Sequence, residues 1–442
     1  MHATRIEHPT RVAQWVSAPT AREARHVPFG AAGAETRRPW HRVGLAVLLA
    51  LAAGLTLCAS AAAGDWPVWR GPDRTGISDE TAWRKDWSGA PPETLWEVQV
   101  GKGFSTVSVV GDRVYTMGND GGVDTVWCLS ADDGKPVWRH RYPCKPHDYA
   151  GPRCTPTVDG DRVYTLSNRG HLFCLDAATG KVTWLVEVSK RLRAKPPRWG
   201  FACSPLVLGD RLIVDVGPVA ALEKTTGKIL WTAGSDEAGY ASPMAFEHGG
   251  KTRLASFNKN GPIVVDAAEG TVLARARWKT EWDVNAVTPI IQGDTLFYSS
   301  GYNTGAAVFK FTGDGLEQVW RNRNMRNHAN NCVLWKGHLY GFDGQVNAGA
   351  LTCIDYETGE KRWSEPTLKA GGLMLADGVL VCMVASGDCA LVKASPEACT
   401  LLGRKNLFTR KDTCWTHPVL AGGRIYCRSH SGRLACLGVG KK

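Results

Sequence analysis

Short apolar runs separated by Gly-rich turns recur along most of the chain, and they recur at a fixed distance. The stretch from Thr155 to Trp184 sets the pattern in four pieces: T-P-T-V-D-G, D-R-V-Y, an apolar run ending at Cys174-Leu175-Asp176, and the segment Lys181 to Trp184. Each piece reads as a short strand. The Gly160-Asp161 pair marks a hairpin turn, and Thr179-Gly180 places glycine where the chain needs positive φ. Copies lie on both sides: Val109 to Tyr115 with Cys128 to Trp138, Ser204 to Ile213 with Thr225 to Trp231, and Cys353 to Trp363. The step from Gly to Trp is four residues in Gly134/Trp138, Gly180/Trp184, Gly227/Trp231 and Gly359/Trp363. Successive tryptophans stand 46 and 47 residues apart, and Trp231 to Trp363 is 132, three further periods. Two degenerate copies fill that gap. One runs from Ser242 through Gly270, with Ala274 in the Trp place and Trp278 just after; the other runs from Thr288 through Gly315 to Trp320.

Four short strands per period of about 45 residues is the sequence signature of a β-propeller blade. Seven full copies run from about Phe104 to Leu407, and an eighth, Trp415 to Leu437, lacks its outer strand. The missing strand is available as Thr94 to Val100, ahead of the first full blade. The predicted fold is therefore all-β: an eight-bladed β-propeller with four antiparallel strands per blade, closed by pairing the N-terminal strand with the last blade. Closure of this kind removes the sheet edges that an open arrangement would expose.

Composition agrees with such a fold. The 442 residues include 49 Gly and 18 Trp, which suits many tight turns and many bulky anchors in thin sheets. The net charge of +11 changes meaning once it is divided. Residues 1–64 hold seven Arg and three Glu, so 46 basic residues face 39 acidic ones in the remainder. The folded part is only mildly basic and has no Lys/Arg run with interleaved aromatics, so no nucleic-acid partner is expected.

The N-terminus reads as an export segment. No charge occurs from Val43 to Gly64, the basic stretch Arg37 to Arg42 precedes it, and small residues follow at Ala59 to Ala63. Residues 37–63 are assigned as a signal peptide or membrane anchor, since the uncharged run is long enough to span a bilayer. Arg37-Arg38 and Cys58 leave twin-arginine and lipoprotein routes open. All of these place the domain in the periplasm or outside the cell, with membrane contact only through this segment. Residues 1–36 are read as disordered or as an over-extended start, 64–93 as a lead-in segment and 94–440 as the propeller.

The segment Cys174 to Trp184 resembles the A-x-D-x-x-T-G-x-x-x-W docking motif of the pyrroloquinoline-quinone (PQQ) type propeller repeat, and Asp65 to Gly76 resembles the opening of exported bacterial PQQ-like propeller proteins. The resemblance covers about 375 residues. It implies that Trp96, Trp138, Trp184, Trp231 and Trp363 pack between neighbouring blades. It is less specific for activity, because similar propellers serve as quinoprotein dehydrogenases holding PQQ and Ca²⁺ and as a cofactor-free scaffold lipoprotein of the outer-membrane β-barrel assembly machinery. The chain has no adjacent Cys-Cys pair and no C-x-x-C-H haem motif. No cofactor or metal site is therefore expected, and a quinoprotein oxidoreductase with PQQ and Ca²⁺ stands as the alternative.

Of the fourteen cysteines, Cys128, Cys174, Cys353 and Cys436 fall at one apolar place in the repeat, as small buried hydrophobes do. Cys144 with Cys154, and Cys382 with Cys389 or Cys399, are near enough in sequence to pair. No residue is assigned a catalytic role. A ligand is expected at the mouth of the central channel, lined by the linkers from each outer strand to the next inner strand. Those linkers supply Tyr149, Arg153, Trp199, Trp282, Asp283, Asn285, His328, Asn330, Asn331 and Trp415. Trp282-Asp283 with Asn285, and His328 with Asn330 and Asn331, could offer oxygens to a cation or hydrogen bonds to a small ligand; the competing reading is that they satisfy loop backbone. A polysaccharide-cleaving site would need two facing carboxylates. The expected function is a monomeric binding or scaffold module for a protein, peptide or glycan.

Overall fold

A computed structural model describes residues 64–440 apart from Asn347; the expectations for 1–36 and for the signal or anchor at 37–63 lie outside the described residues. Eight sheets follow one another along the chain. Blade 1 consists of Ser108–Val110, Arg113–Asp120, Val123–Ser130 and Pro136–Pro143, paired in that order from the channel outward. Blades 2 to 7 repeat this within 157–187, 206–233, 244–275, 290–322, 333–365 and 372–406. Blade 8 takes Val419–Ala421, Arg424–Arg428 and Arg433–Gly438 from the C-terminal end and Glu93–Gln99 from the other, with Glu93 opposite Gly438 and Gln99 opposite Arg433. The ring is closed by the strand that the sequence offered for it.

The two middle strands of each blade are buried on both faces because blades stack face to face. Arg211–Asp215 and Val219–Glu223, for example, each have four buried residues of five, whereas the outer strand Val182–Glu187 has none fully buried. Continuous apolar runs in the middle and polar residues outside follow from that geometry.

The Gly-to-Trp step has a direct physical cause. Trp138 of blade 1 lies on Gly180 of blade 2, so close that a Cβ on Gly180 would stand 2.5 Å from the indole, and Gly180 has φ of +71°. The Trp138 Nε1–H donates to the Ala177 carbonyl at 2.9 Å. Trp96 with Gly134, Trp184 with Gly227, Trp231 with Gly270 and Trp320 with Gly359 repeat the contact. Trp363 donates to the Ser395 carbonyl of blade 7 at 2.8 Å. Blade 4 has Ala274 at this place, and Trp278 turns inward to donate to Ser300 Oγ at 3.1 Å.

Around the channel a second repeat appears. The backbone N–H of Thr106 donates to Thr155 Oγ1, that of Thr155 to Ser204 Oγ, that of Ser204 to Ser242 Oγ, and that of Thr288 to Asn331 Oδ1, at 3.3, 2.9, 2.9 and 2.7 Å. At these four entries a polar side chain thus ties its blade to the one before.

The lead-in segment crosses the channel, which was not expected from the repeat. Trp66 pairs with Val109 of blade 1, and the Pro67 carbonyl accepts from Val158 N–H of blade 2. Trp69 Nε1 donates to Thr288 Oγ1 of blade 5 at 2.9 Å. Buried Arg70 reaches the Cys332 carbonyl ahead of blade 6 at 2.8 Å, and buried Arg74 reaches the Ser204 and Pro205 carbonyls ahead of blade 3 at 3.1 Å. Ile77–Ser78 then adds a fifth strand, parallel to Gly372–Ala376 of blade 7. The segment forms a plug. Beyond it, Arg84 N–H donates to Val439 and Trp87 N–H to Leu402, covering the joint between blades 7 and 8.

Thirteen cysteines are free thiols in the described residues, all but Cys399 fully buried. Cys144 donates to Asn168 Oδ1 and Cys154 to the Thr155 carbonyl.

Candidate functional site

Above the plug the linkers enclose a funnel of about 390 Å³. Its walls are Phe104, Tyr149, Arg153, Trp199, Tyr240, Tyr302, His328 and Trp415, with Ala202, Ala286 and Ala329 among them and Trp69 of the plug beneath. The small side chains of these alanines leave room for the rings beside them. Phe104 stacks on Trp415 with centroids 5.3 Å apart, Tyr149 leans on Trp415 at 5.8 Å, and Trp199 on Tyr240 at 5.8 Å.

Three aromatic residues at this rim stand on left-handed backbone: Tyr149 at φ 56°, Trp282 at 60° and Tyr302 at 49°. Bulky side chains rarely adopt that region, and such strain gathers at ligand clamps. Tyr149 is 57% and Trp282 51% exposed, so the strain presents rings to solvent. Arg198 lies over the Trp282 ring at 4.7 Å.

The electrostatics are one-sided. Arg153 bonds the carbonyls of Gly151 and Tyr149 at 2.9 and 3.0 Å and lies 5.4 Å from the Phe104 centroid. Desolvation lowers its pKa to about 10, which leaves it charged at neutral pH. Burial depresses His328 to about 4, and burial with nearby Arg70 depresses His417 to about 4, so both imidazoles are neutral there. Among the described residues no carboxylate lines the funnel. The Tyr240 hydroxyl, pushed up to about 12 by burial, faces the Trp199 backbone N–H, and His328 Nδ1 is buried without a hydrogen-bond partner in the protein.

Of the residues singled out by sequence, Tyr149, Arg153, Trp199, His328 and Trp415 line the funnel. Trp282 and Asp283 stand outside the lining, and Asp283 lies 3.3 Å from Lys259 Nζ. Asn285 is buried: Oδ1 accepts from Thr280 and Ser300, and Nδ2 donates to the Asn258 carbonyl. Asn330 Oδ1 accepts from Asn327 Nδ2, and Asn331 belongs to the blade-to-blade ring. Trp69 and Tyr302 were not anticipated. Tyr302 lies in the turn between the second and third strands of blade 5, which shares the funnel end with the linkers; that topology was the available signal. Trp69 had none.

The model of the family described as outer membrane protein assembly factor BamB matches residues 147–365. The fold is similar to BamB from Moraxella catarrhalis, with 18% identity, 78% of this chain and 97% of that chain covered, and a TM-score of 0.58. These matches support a PQQ-like β-propeller family for the chain. The fold is also similar to a quinohemoprotein alcohol dehydrogenase from Comamonas testosteroni, with 13% identity, 87% of this chain and 82% of that chain covered, and a TM-score of 0.60. Among curated proteins no sequence matches. The likeness to a quinohemoprotein raises the question whether the funnel suits PQQ with Ca²⁺. Calcium takes six to eight oxygens, carboxylates foremost. The funnel lining offers none, the nearby amides of Asn285 and Asn331 are engaged, and no group of three His, Cys, Asp or Glu among the described residues could hold a metal. The donor set does not fit a calcium-bound quinone.

Proposed function

We propose that this PQQ-like propeller is a non-enzymatic binding module of the cell envelope, whose blind aromatic funnel captures its ligand while the closed ring serves as scaffold. The observation that carries this reading is the lining: rings and one guanidinium, with no carboxylate to act as base, nucleophile or metal ligand. The export pattern of residues 37–63 supports the location, as does the likeness to BamB. Ligand sites of this kind are concave and largely apolar, with a few converging polar groups, and the partner classes that suit such a wall are a protein, a peptide or a glycan.

The test is a titration of the full chain with PQQ and Ca²⁺, following absorbance and melting temperature, beside a dye-linked alcohol oxidation assay. Neither a Ca²⁺-dependent shift nor turnover is expected. A saturable Ca²⁺-dependent stabilisation that Asp283→Ala abolishes would replace this reading with the oxidoreductase.

A further inference from the structure

We infer that the funnel recognises the end of an acidic glycan, a terminal sugar ring carrying a carboxylate; this rests on the binding reading above. Charge supplies the first argument. Arg153 is the one formal charge among the lining residues, because the lining has no acid and its two histidines are neutral at pH 7. A cation in a site without a counter-carboxylate selects an anion, and the guanidinium, fixed by the Gly151, Asp148 and Tyr149 carbonyls, adds one charge-assisted bond to a carboxylate oxygen.

Hydrogen bonding supplies the second. Tyr240 and His328 line the same cavity; Tyr240 Oη has the Trp199 backbone N–H against it and its own O–H still to donate, and His328 Nδ1 has no partner in the protein. Leaving such groups unpaired is costly, so a ligand rich in hydroxyls gains where a plain aromatic acid would not. The C–H faces of a sugar ring also suit the aromatic walls, and Tyr149 and Tyr302 are held toward this rim from strained backbone.

Topology supplies the third. A peptide usually binds by adding to a free strand edge or by an amphipathic helix in a groove. Here the inner strands are occupied: three neighbouring hydroxyls and the Asn331 amide oxygen take backbone N–H groups at four blade entries, and Arg70, Arg74 and Trp66 of the plug take the other side. The plug also makes the funnel blind, with Trp69 beneath it. A chain can enter by its end and cannot thread through.

The experiment is isothermal titration of the full chain with four probes. They are a trisaccharide ending in glucuronic acid, its counterpart ending in glucose, the same acidic trisaccharide extended beyond the acid by a neutral sugar, and a tripeptide with a free C-terminal carboxylate. The acidic end is expected to bind at least about tenfold tighter than the neutral and the capped forms, the scale of one charge-assisted contact. Arg153→Gln should erase the preference. Tyr240→Phe, which removes only an oxygen, should weaken acidic binding several-fold with the melting temperature unchanged, so the answer does not depend on how Arg153→Gln folds. Equal affinity for acidic and neutral ends would overturn the inference and leave the binding module standing. Preference for the tripeptide would replace the glycan with a peptide terminus. Binding of none of the probes, together with Ca²⁺-dependent PQQ binding, would overturn both readings.

Discussion

Burial keeps the imidazole of His417 neutral beneath the funnel: Nδ1 faces the Leu373 carbonyl at 2.8 Å, and desolvation with the neighbouring Arg70 brings the pKa down to about 4. The sign of the pH effect follows. Above about pH 6.5 neither folded nor unfolded chain protonates this group. Between 6.5 and 4 the unfolded chain takes the proton first, so stability falls as pH falls, by roughly 3 kcal/mol at full extent. Asp215, raised to about 6 by burial, works in the opposite direction as pH falls through 6. The prediction is therefore a difference: His417→Asn, which keeps a donor for Leu373, should show a shallower loss of urea midpoint between pH 7 and 4.5 than the parent. Parallel pH profiles would show that His417 titrates normally. At this scale sequence reads residue types well and hydrogen-bond partners poorly. Asn285 and Asn331 look like ligand donors until the fold shows which backbone groups they satisfy, and Trp69 reaches Thr288 across 219 residues.

The plug is the element that a repeat search passes over, because it occurs once. Arg70 and Arg74 are buried charges without a carboxylate; they are held by main-chain oxygens, three of them on Arg70. Desolvation lowers both to about 10, and both stay charged at neutral pH. Arg70→Met would leave those carbonyls without their donor at a buried site, so a loss on the order of 3 kcal/mol is expected in urea unfolding. Arg70→Lys, which keeps charge but loses the planar fork, should recover only part of it. A loss below about 0.5 kcal/mol for the Met variant would mean the plug is not needed to hold the channel. The blades themselves were legible because strand, turn and Gly-to-Trp step are local features. That each Trp lands on the glycine of the following blade is long-range, and only the resemblance to a known repeat suggested it.

Ring closure belongs to the whole molecule. Trp96 sits on the one strand taken from the far end of the chain and docks on Gly134, donating to the Ala131 carbonyl at 2.9 Å. Trp363 makes the same kind of contact between two blades that are contiguous in sequence. Truncating either to Ala should cost about 3–5 kcal/mol. Only Trp96→Ala should also lower the urea m-value, because an opened ring loosens blade by blade as repeat arrays do. Equal m-values in the two variants would show that blade 8 does not act as the lock. Closure was legible in sequence since a count of strands leaves one short at one end and one over at the other. The order of synthesis gives that closure a further meaning. Glu93–Gln99 leaves the ribosome long before its partner Arg433–Gly438 exists. At about 5–20 residues per second the wait is roughly 20–70 s. Through that interval the plug has no complete channel to fill and the first strand no neighbour to pair with. The earliest part of the domain to be made is thus the last to find its place, and anything that guards the nascent chain must hold on until the final blade emerges.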